Sequence, residues 1–181
     1  MKRFEVIMAG IGGQGLLLGG LILGDAAAIG ERRYAVQIES YAPLARGGSS
    51  NSELVVSDEE IDYPRIQEAD VLIALSKDAL KSHKNKVKKD GIILLNSTDV
   101  KEYEEDKRIV EIPLTAIALE TTGKAFTVSI VALGVVPRLT ELISINSIIS
   151  SLTRRAPAGT EALNIKAAEA GFTASEKIFA K

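Results

Sequence analysis

The stretch FEVIMAGIGGQGLLLGGLILGDAAAIG, residues 4–30, decides the fold. Residues 3–9 are a short, mostly apolar run that contains Phe, Val and Ile and ends at a glycine cluster, which is typical of a strand buried on both faces. Residues 16–28 are almost wholly apolar and predict a helix buried on most sides, and Gly30 stands where a left-handed residue would end it. Strands of this kind belong to parallel sheets with both faces covered.

The rest of the chain continues the alternation of strands with helices. Further strands are predicted for residues 34–40, 52–57, 71–75, 91–95 and 108–114. Helices are predicted for residues 77–87, 128–136, 147–154 and 160–180. This order predicts a doubly wound, mainly parallel α/β sheet with flanking helices, Rossmann-like, with a helical C-terminal third. Because no repeat or linker divides the chain, we expect a single domain over residues 1–181.

Composition excludes several classes of function. The 181 residues are 46% hydrophobic, enough to bury one core, and their net charge of −2 lacks the basic field of nucleic-acid binders, so no nucleic-acid partner is expected. There is no cysteine, which excludes disulfides, thiolate chemistry and an iron–sulfur cluster of its own. Since His83 is the only histidine, multi-histidine metal sites are excluded too, and no metal is expected. His83 itself is expected to be a solvated side chain on a lysine-rich helix face.

A membrane-spanning segment is also not expected. Residues 6–24 carry no charge, and their length alone would permit a span. Seven of these residues are glycine and Gln14 lies among them, so a strand, a turn and a helix are the better interpretation. The absence of cysteine is compatible with the cytoplasmic location that we expect.

The glycine cluster is the first candidate site, and its members are Gly10, Gly12, Gly13, Gln14 and Gly15. Such glycines allow a positive φ and close backbone approach, so that N–H groups at a helix N-terminus can face a phosphate. If Gly12 is the residue with a positive φ, Gly12→Val would be strongly destabilising.

Three interpretations of this glycine turn can be compared. Leu16 and Leu17 stand where an ATP-hydrolysing loop has Lys followed by Ser or Thr, so ATP hydrolysis is not expected. Glu39 lies close to the offset of the acid that binds ribose in dinucleotide sites, which keeps open a free-standing NAD(P)-binding Rossmann oxidoreductase. A turn that serves only helix packing is the third interpretation.

A second candidate loop follows the strand predicted at residues 34–40. Its candidate binding residues are Ser40, Tyr41, Arg46, Gly47 and Gly48. Open α/β sheets bind ligands at the carboxyl ends of their strands, and a guanidinium can bind carboxylate or phosphate through paired N–H donors. An arginine exposed on a surface loop would give the same pattern.

Together the two loops resemble the gamma subunit of 2-oxoacid:ferredoxin oxidoreductases. The matching motifs are Gly-x-Gly-Gly-Gln-Gly at residues 10–15 and Ser-Tyr-x-Pro-x-x-Arg-Gly-Gly at residues 40–48. Residues 69–75 and 162–167 resemble a later strand and the C-terminal helix of that family, so the resemblance covers nearly the whole chain. Where the family often has Asn, this chain has Ser129.

The resemblance implies a subunit of an enzyme that oxidatively decarboxylates a 2-oxoacid, transfers the acyl group to coenzyme A and passes electrons to ferredoxin. It implies no cofactor on this chain, thiamine diphosphate and iron–sulfur clusters on partner subunits, and coenzyme A as co-substrate. The implied partners are the alpha, beta and delta subunits, with ferredoxin binding through the complex. Gly12, Gly13, Gln14 and Arg46 are expected to line the approach of coenzyme A. We expect no catalytic residue here and no activity of the chain alone, and a non-catalytic scaffold subunit stays an alternative.

Overall fold

The computed structural model describes residues 3–41 and 49–179, so Arg46, Gly47 and Gly48 lie outside the described residues. Six strands are formed: β1 (Phe4–Ile11), β2 (Tyr34–Tyr41), β3 (Ser49–Ser57), β4 (Ala69–Ala74), β5 (Val87–Asn96) and β6 (Ile109–Ile112). Six α-helices accompany them: α1 (Leu16–Asp25), α2 (Lys77–His83), α3 (Leu114–Thr122), α4 (Val128–Leu139), α5 (Ile145–Arg155) and α6 (Glu161–Phe179). A π-helical turn, Ala26–Gly30, extends α1, and short 3₁₀ turns lie at Lys84–Lys86 and Ala125–Thr127.

The strands form one sheet in the order β2-β3-β1-β4-β5-β6. β1, β4, β5 and β6 pair in parallel, whereas β3 is antiparallel to both β1 and β2. Five strands therefore run in one direction and only β3 runs in the other. The prediction of a mainly parallel α/β sheet with a helical C-terminal third is confirmed.

Helices cover both faces of this sheet. On one face, alternate residues of the strands, such as Met8 and Ile73, pack under α1 and the C-terminal helices. On the other face, residues such as Ile7 and Leu72 pack under α2. Because residues 6–9 of β1 and residues 71–74 of β4 are all apolar, these strands can be buried from both sides, as a doubly wound sheet requires.

Several boundaries differ from the sequence-based predictions, and one helix was not predicted. The helix predicted for residues 77–87 ends at His83, and Val87 already begins β5. The strand predicted for residues 108–114 ends at Ile112, and α3, which was not predicted, begins at Leu114. Pro113 precedes α3 without a side-chain cap, which removes the usual start signal.

The expectation of a left-handed Gly30 is wrong. The Glu31 N–H donates to Ala26 O at 3.1 Å and the Arg33 N–H donates to Ala27 O at 3.1 Å, so the helix widens at its end. The reversal of the chain consequently falls at Arg32, which has a φ of 55°. Within residues 3–41 and 49–179, none of the helices combines the length and the apolar character needed to cross a bilayer.

Candidate functional site

The glycine turn lies at the topological switch point of the sheet, where the chain connections lead to opposite sides. From β1 the chain passes through α1 to β2 on one side, and from β4 it passes through α2 to β5 on the other. The carboxyl ends of β1 and β4 are neighbours, and the Leu75 N–H donates to Ala9 O at 2.9 Å. In open α/β sheets the crevice at such a switch point is where ligands bind.

Positive φ angles in the turn belong to Gly13, at 94°, and Gly15, at 75°. Gly15 precedes α1, and a methyl group there would lie 2.7 Å from Ser129 Oγ and 2.9 Å from Phe126 O. The Ser129 hydroxyl donates to Gly15 O at 3.0 Å. The beginning of α4 therefore holds the turn from one side, and only glycine fits at Gly15.

Gln14 holds the turn from the other side. Its Oε1 accepts from the Ile11 N–H at 2.8 Å, and its Nε2 donates to Leu75 O at 3.4 Å. A methyl group on Gly10 would collide with the same Oε1. The Gln14 amide thus occupies the crevice between β1 and β4 and positions the turn.

The expectation of a positive φ at Gly12 is wrong, because the chain reverses at the following residue, Gly13. A methyl group on Gly12 would meet no atom of the described residues within 4 Å, its chain neighbours aside. Among the described residues, the N–H groups of Gly12 and Gly13 have no protein acceptor. Neither backbone conformation nor packing requires glycine at Gly12, so its small size leaves free space in front of exposed amide donors.

These amides face a shallow pocket of about 390 Å³ on the α1 side of the turn. Its walls include the side chains of Leu17, Ser50 and Phe126. None of the described residues that line the pocket is charged, so its positive polarity comes from backbone amides and the N-terminus of α1. The arrangement suits an anionic group with an adjoining apolar portion.

The second loop begins and ends at the same edge of the sheet. Ser40 is exposed at the carboxyl end of β2, where it pairs with Asn51 of β3, and Tyr41 ends the strand. After the segment that contains Arg46, β3 starts at Ser49, which pairs with Ile11. The chain therefore returns directly beside the glycine turn, while Ser40 and Tyr41 lie two strands away from β1.

A polar cluster built on the buried side chain of Asn96 at this edge was missed by sequence reasoning. Asn96, at the end of β5, donates to Asp99 Oδ2 at 2.8 Å, to Thr115 Oγ1 at 2.9 Å and, at 3.4 Å, to the same Leu75 carbonyl that Gln14 contacts. Its Oδ1 accepts from the Thr115 N–H at 3.2 Å and so caps α3. The sequence signal that could have indicated this cluster is an asparagine directly after four apolar strand residues.

His83 is not the solvated side chain that was expected. Its exposed fraction is 9%, because the end of α2 lies against β3, where Asn51 Nδ2 is 3.5 Å from His83 Nε2. Burial, together with the charge of Lys86, lowers the pKa of His83. Asn51 Oδ1 and His83 Nδ1 are buried and have no hydrogen-bond partner in the part of the chain that the structure describes. Among the residues that the structure describes, no group of acidic or histidine side chains could hold a metal ion.

The comparisons with known proteins place this fold and this turn in one family. Residues 5–174 match the sequence profile of pyruvate ferredoxin/flavodoxin oxidoreductases. The chain belongs to this family. It is 40% identical to the 2-oxoglutarate synthase subunit KorC of Methanocaldococcus jannaschii over 97% of this chain and 96% of that protein. The KorC subunit of Methanothermobacter marburgensis is 37% identical over 93% and 95% of the two chains.

Solved structures agree with this assignment. The keto/oxoacid ferredoxin oxidoreductase gamma subunit of Geobacter sulfurreducens superposes with a TM-score of 0.87 at 32% identity, over 98% of both chains. The same fold forms 32% of a chain of the Magnetococcus marinus 2-oxoglutarate:ferredoxin oxidoreductase, with a TM-score of 0.80 at 22% identity. In sequence, the chain also matches 28% of the ketoisovalerate oxidoreductase subunit VorA of Methanothermobacter thermautotrophicus, at 37% identity.

The chain is therefore a gamma-type subunit of the 2-oxoacid:ferredoxin oxidoreductases, and the predicted family and function are confirmed. A free-standing NAD(P)-dependent enzyme is not favoured. The Gln14 amide occupies the crevice in which a dinucleotide pyrophosphate would lie. The Glu39 carboxylate accepts from Gln37 Nε2 at 3.1 Å. A non-catalytic scaffold is not favoured either, since the relatives are subunits of oxidoreductases.

Proposed function

We propose that this chain is the gamma subunit of a 2-oxoglutarate:ferredoxin oxidoreductase and that its glycine turn binds coenzyme A. The substrate assignment is supported by the KorC relatives, which match this chain over almost their full length, whereas the VorA matches span only 26% and 28% of those proteins. The observation that carries the coenzyme site is that, among the described residues, nothing fills the space next to Gly12 and no acceptor pairs with the amides of Gly12 and Gly13.

In the proposed reaction, the bond between the carboxylate and the keto carbon of 2-oxoglutarate breaks and carbon dioxide leaves. The keto carbon is oxidised by two electrons, which pass to two ferredoxin molecules. It then forms a thioester bond with the coenzyme A sulfur, and the thiol proton is released. Thiamine diphosphate and the iron–sulfur clusters would lie on alpha, beta and delta subunits, and ferredoxin would dock on the complex. We place this enzyme in the cytoplasm.

The proposed role of this chain is to bind and orient coenzyme A. The amides of Gly12 and Gly13 and the N-terminus of α1 would receive a phosphate of the coenzyme. The apolar walls at Leu17 and Phe126 would contact an uncharged portion of it. Gly10, Gly15 and Gln14 would act indirectly, because they set the shape of the turn.

The second loop would complete the site from the neighbouring strand. The Arg46 guanidinium would bind a second phosphate oxygen, since guanidinium groups bind phosphate through paired N–H donors. Gly47 and Gly48 would let this loop approach the coenzyme, with Ser40 and Tyr41 at its other end.

The test is an activity assay of the enzyme assembled from this chain and the subunits that co-purify with it. Reduction of a viologen dye is measured with 2-oxoglutarate, pyruvate and 3-methyl-2-oxobutanoate, each with and without coenzyme A. We expect coenzyme A-dependent reduction with the highest kcat/KM for 2-oxoglutarate. A higher kcat/KM for another 2-oxoacid would contradict the substrate, and equal activity of preparations lacking this chain would contradict its role.

A further inference from the structure

An exposed apolar face runs from the glycine turn along α1. Eight large hydrophobic side chains are exposed among the described residues, and four of them lie on this face. They are Ile11, Leu17, Leu21 and Phe126, with exposed fractions between 41% and 50%. Leu17 and Leu21 are one helical turn apart, and Ile11 and Phe126 border the pocket next to Leu17. We call this set the α1 apolar face.

The outer side of α1 carries no charge that would favour exposure to water. Asp25 is the only charged residue of this helix, and its side chain is turned inward, 2.6 Å from Arg154 Nη2 and 2.8 Å from Arg155 Nε of α5. A surface helix normally presents polar residues to solvent. Contiguous apolar exposure of this kind marks a surface that another molecule covers.

Relatives indicate that the neighbour is a permanent one. In the VorA proteins the matching unit is about a quarter of a longer polypeptide, and in the Magnetococcus structure it is about a third of a chain. In such chains the unit is covalently linked to the rest of the polypeptide. Permanent interfaces are larger and more apolar than those of transient electron-transfer partners, so a lasting subunit contact fits this face better than ferredoxin does.

The position of the face indicates which subunit covers it. If coenzyme A lies in the pocket, as proposed above, its thiol must reach an acyl group formed elsewhere, since this chain has no cysteine and the described residues of the pocket include no charged or histidine side chain. The subunit that forms the acyl group must then border the pocket. Leu17 belongs to both the pocket and the α1 apolar face.

We infer that the α1 apolar face is the docking surface for the partner subunit that forms the acyl group, which binds through an apolar patch of its own. Docking there closes the open side of the pocket over coenzyme A. This inference rests on the proposed function, because it takes the reacting acyl group to be on another chain.

The test compares two leucines that are exposed to a similar degree. Leu21 lies on the α1 apolar face and is 42% exposed, whereas Leu119 of α3 is 48% exposed next to Glu120 and outside the face. Neither lines the pocket. Leu21→Glu and Leu119→Glu are each co-expressed with the partner subunits, and assembly is measured as a dissociation constant for the affinity-tagged chain.

We expect Leu21→Glu to weaken assembly about tenfold or more, equivalent to about 1.4 kcal/mol, and Leu119→Glu to assemble like the wild type. Leu21→Ala, which adds no charge, serves if Leu21→Glu does not fold. Unchanged assembly of the Leu21 variants, or equal loss in Leu119→Glu, would overturn the inference. So would a wild-type dimer of this chain that Leu21→Glu dissociates. Failure of the wild-type chain itself to assemble or to support activity would instead contradict the proposed function, and the inference with it.

Discussion

Gly15 and Gly12 lie three residues apart, and the structure requires glycine at Gly15 but not at Gly12. At Gly15 an alanine would have a φ of 75° and would press against Ser129 Oγ and Phe126 O. The left-handed conformation alone costs about 1–2 kcal/mol for a residue with a side chain. We predict that Gly15→Ala lowers the melting temperature of the chain by roughly 5 °C or more, and that Gly12→Ala changes it by less than about 2 °C. Thermal unfolding followed by circular dichroism measures both, and equal losses would contradict this account of the turn.

His83 gives the chain a predictable dependence of stability on pH. Because burial lowers its pKa, the folded protein binds fewer protons than the unfolded one, whose histidine titrates near 6.5. The stability that depends on neutral His83 is therefore fully present above about pH 6.5 and is lost as the pH falls below it. We predict a loss of up to about 1.4 kcal/mol of unfolding free energy between pH 7.5 and 5.5 from this group.

The measurement is urea denaturation of the wild type and of His83→Gln at several pH values. His83→Gln cannot titrate, so the stability difference between the two proteins should shrink as the pH falls. A difference that stays constant from pH 7.5 to 5.5 would show that His83 has the same pKa in the folded and the unfolded protein, contrary to the effect of burial.

At the residue scale, the sequence located the glycine turn better than it described the side chains around it. The glycine spacing correctly marked the turn at the end of β1, because glycine is the residue type that adopts a positive φ without strain. The contacts of Gln14 with Leu75 could not be predicted, since they depend on which strand lies beside β1. The environment of His83 was predicted wrongly for the same reason. The surrounding lysines suggest a solvated helix, and only the packing of α2 against the sheet brings His83 close to Asn51.

At the scale of the elements, α4 and α6 cross each other at very short range. A methyl group on Gly134 would collide with the carbonyl of Ala168, and one on Gly171 would collide with the carbonyl of Val131. The two backbones thus approach each other directly. We predict that Gly134→Ala costs about 3 kcal/mol or more, lowering the melting temperature by roughly 6 °C or more, because the helices must move apart.

Gly24→Ala in α1 is the matched control for this substitution. Its methyl group would lie 3.4 Å from Leu54 Cδ1, an ordinary contact, and alanine favours a helix by up to about 1 kcal/mol over glycine. We expect Gly24→Ala to leave the melting temperature unchanged or to raise it. If Gly134→Ala behaves in the same way, the crossing is not as close as described.

Elements with strong local patterns were predictable, and those defined by pairing were not. The apolar runs of β1 and β4 correctly indicated buried strands. The antiparallel course of β3 could not be read from its sequence, because strand direction is set by the connection to β2 and by pairing with β1. α3 escaped prediction because it begins after Pro113 and takes its caps from Asn96 and Thr98.

For the whole molecule, the pocket and the α1 apolar face form one continuous surface at the carboxyl edge of the sheet. The pocket offers amide donors, apolar walls and the hydroxyl of Ser50, but no charged or histidine side chain among its described residues. An arrangement of this kind can hold and orient a substrate, and we propose that the groups for the bond-making steps come from another chain. This division agrees with the match to gamma subunits of oxidoreductases.

The most direct test of this account is the KM for coenzyme A of the assembled oxidoreductase that carries Gly12→Val. The valine side chain would extend into the space next to Gly12, where a Cβ meets no described atom within 4 Å. We predict that the KM for coenzyme A rises roughly tenfold or more, while the KM for 2-oxoglutarate and the melting temperature stay close to wild type. An unchanged KM for coenzyme A in a correctly assembled variant would contradict the claim that this turn binds the coenzyme.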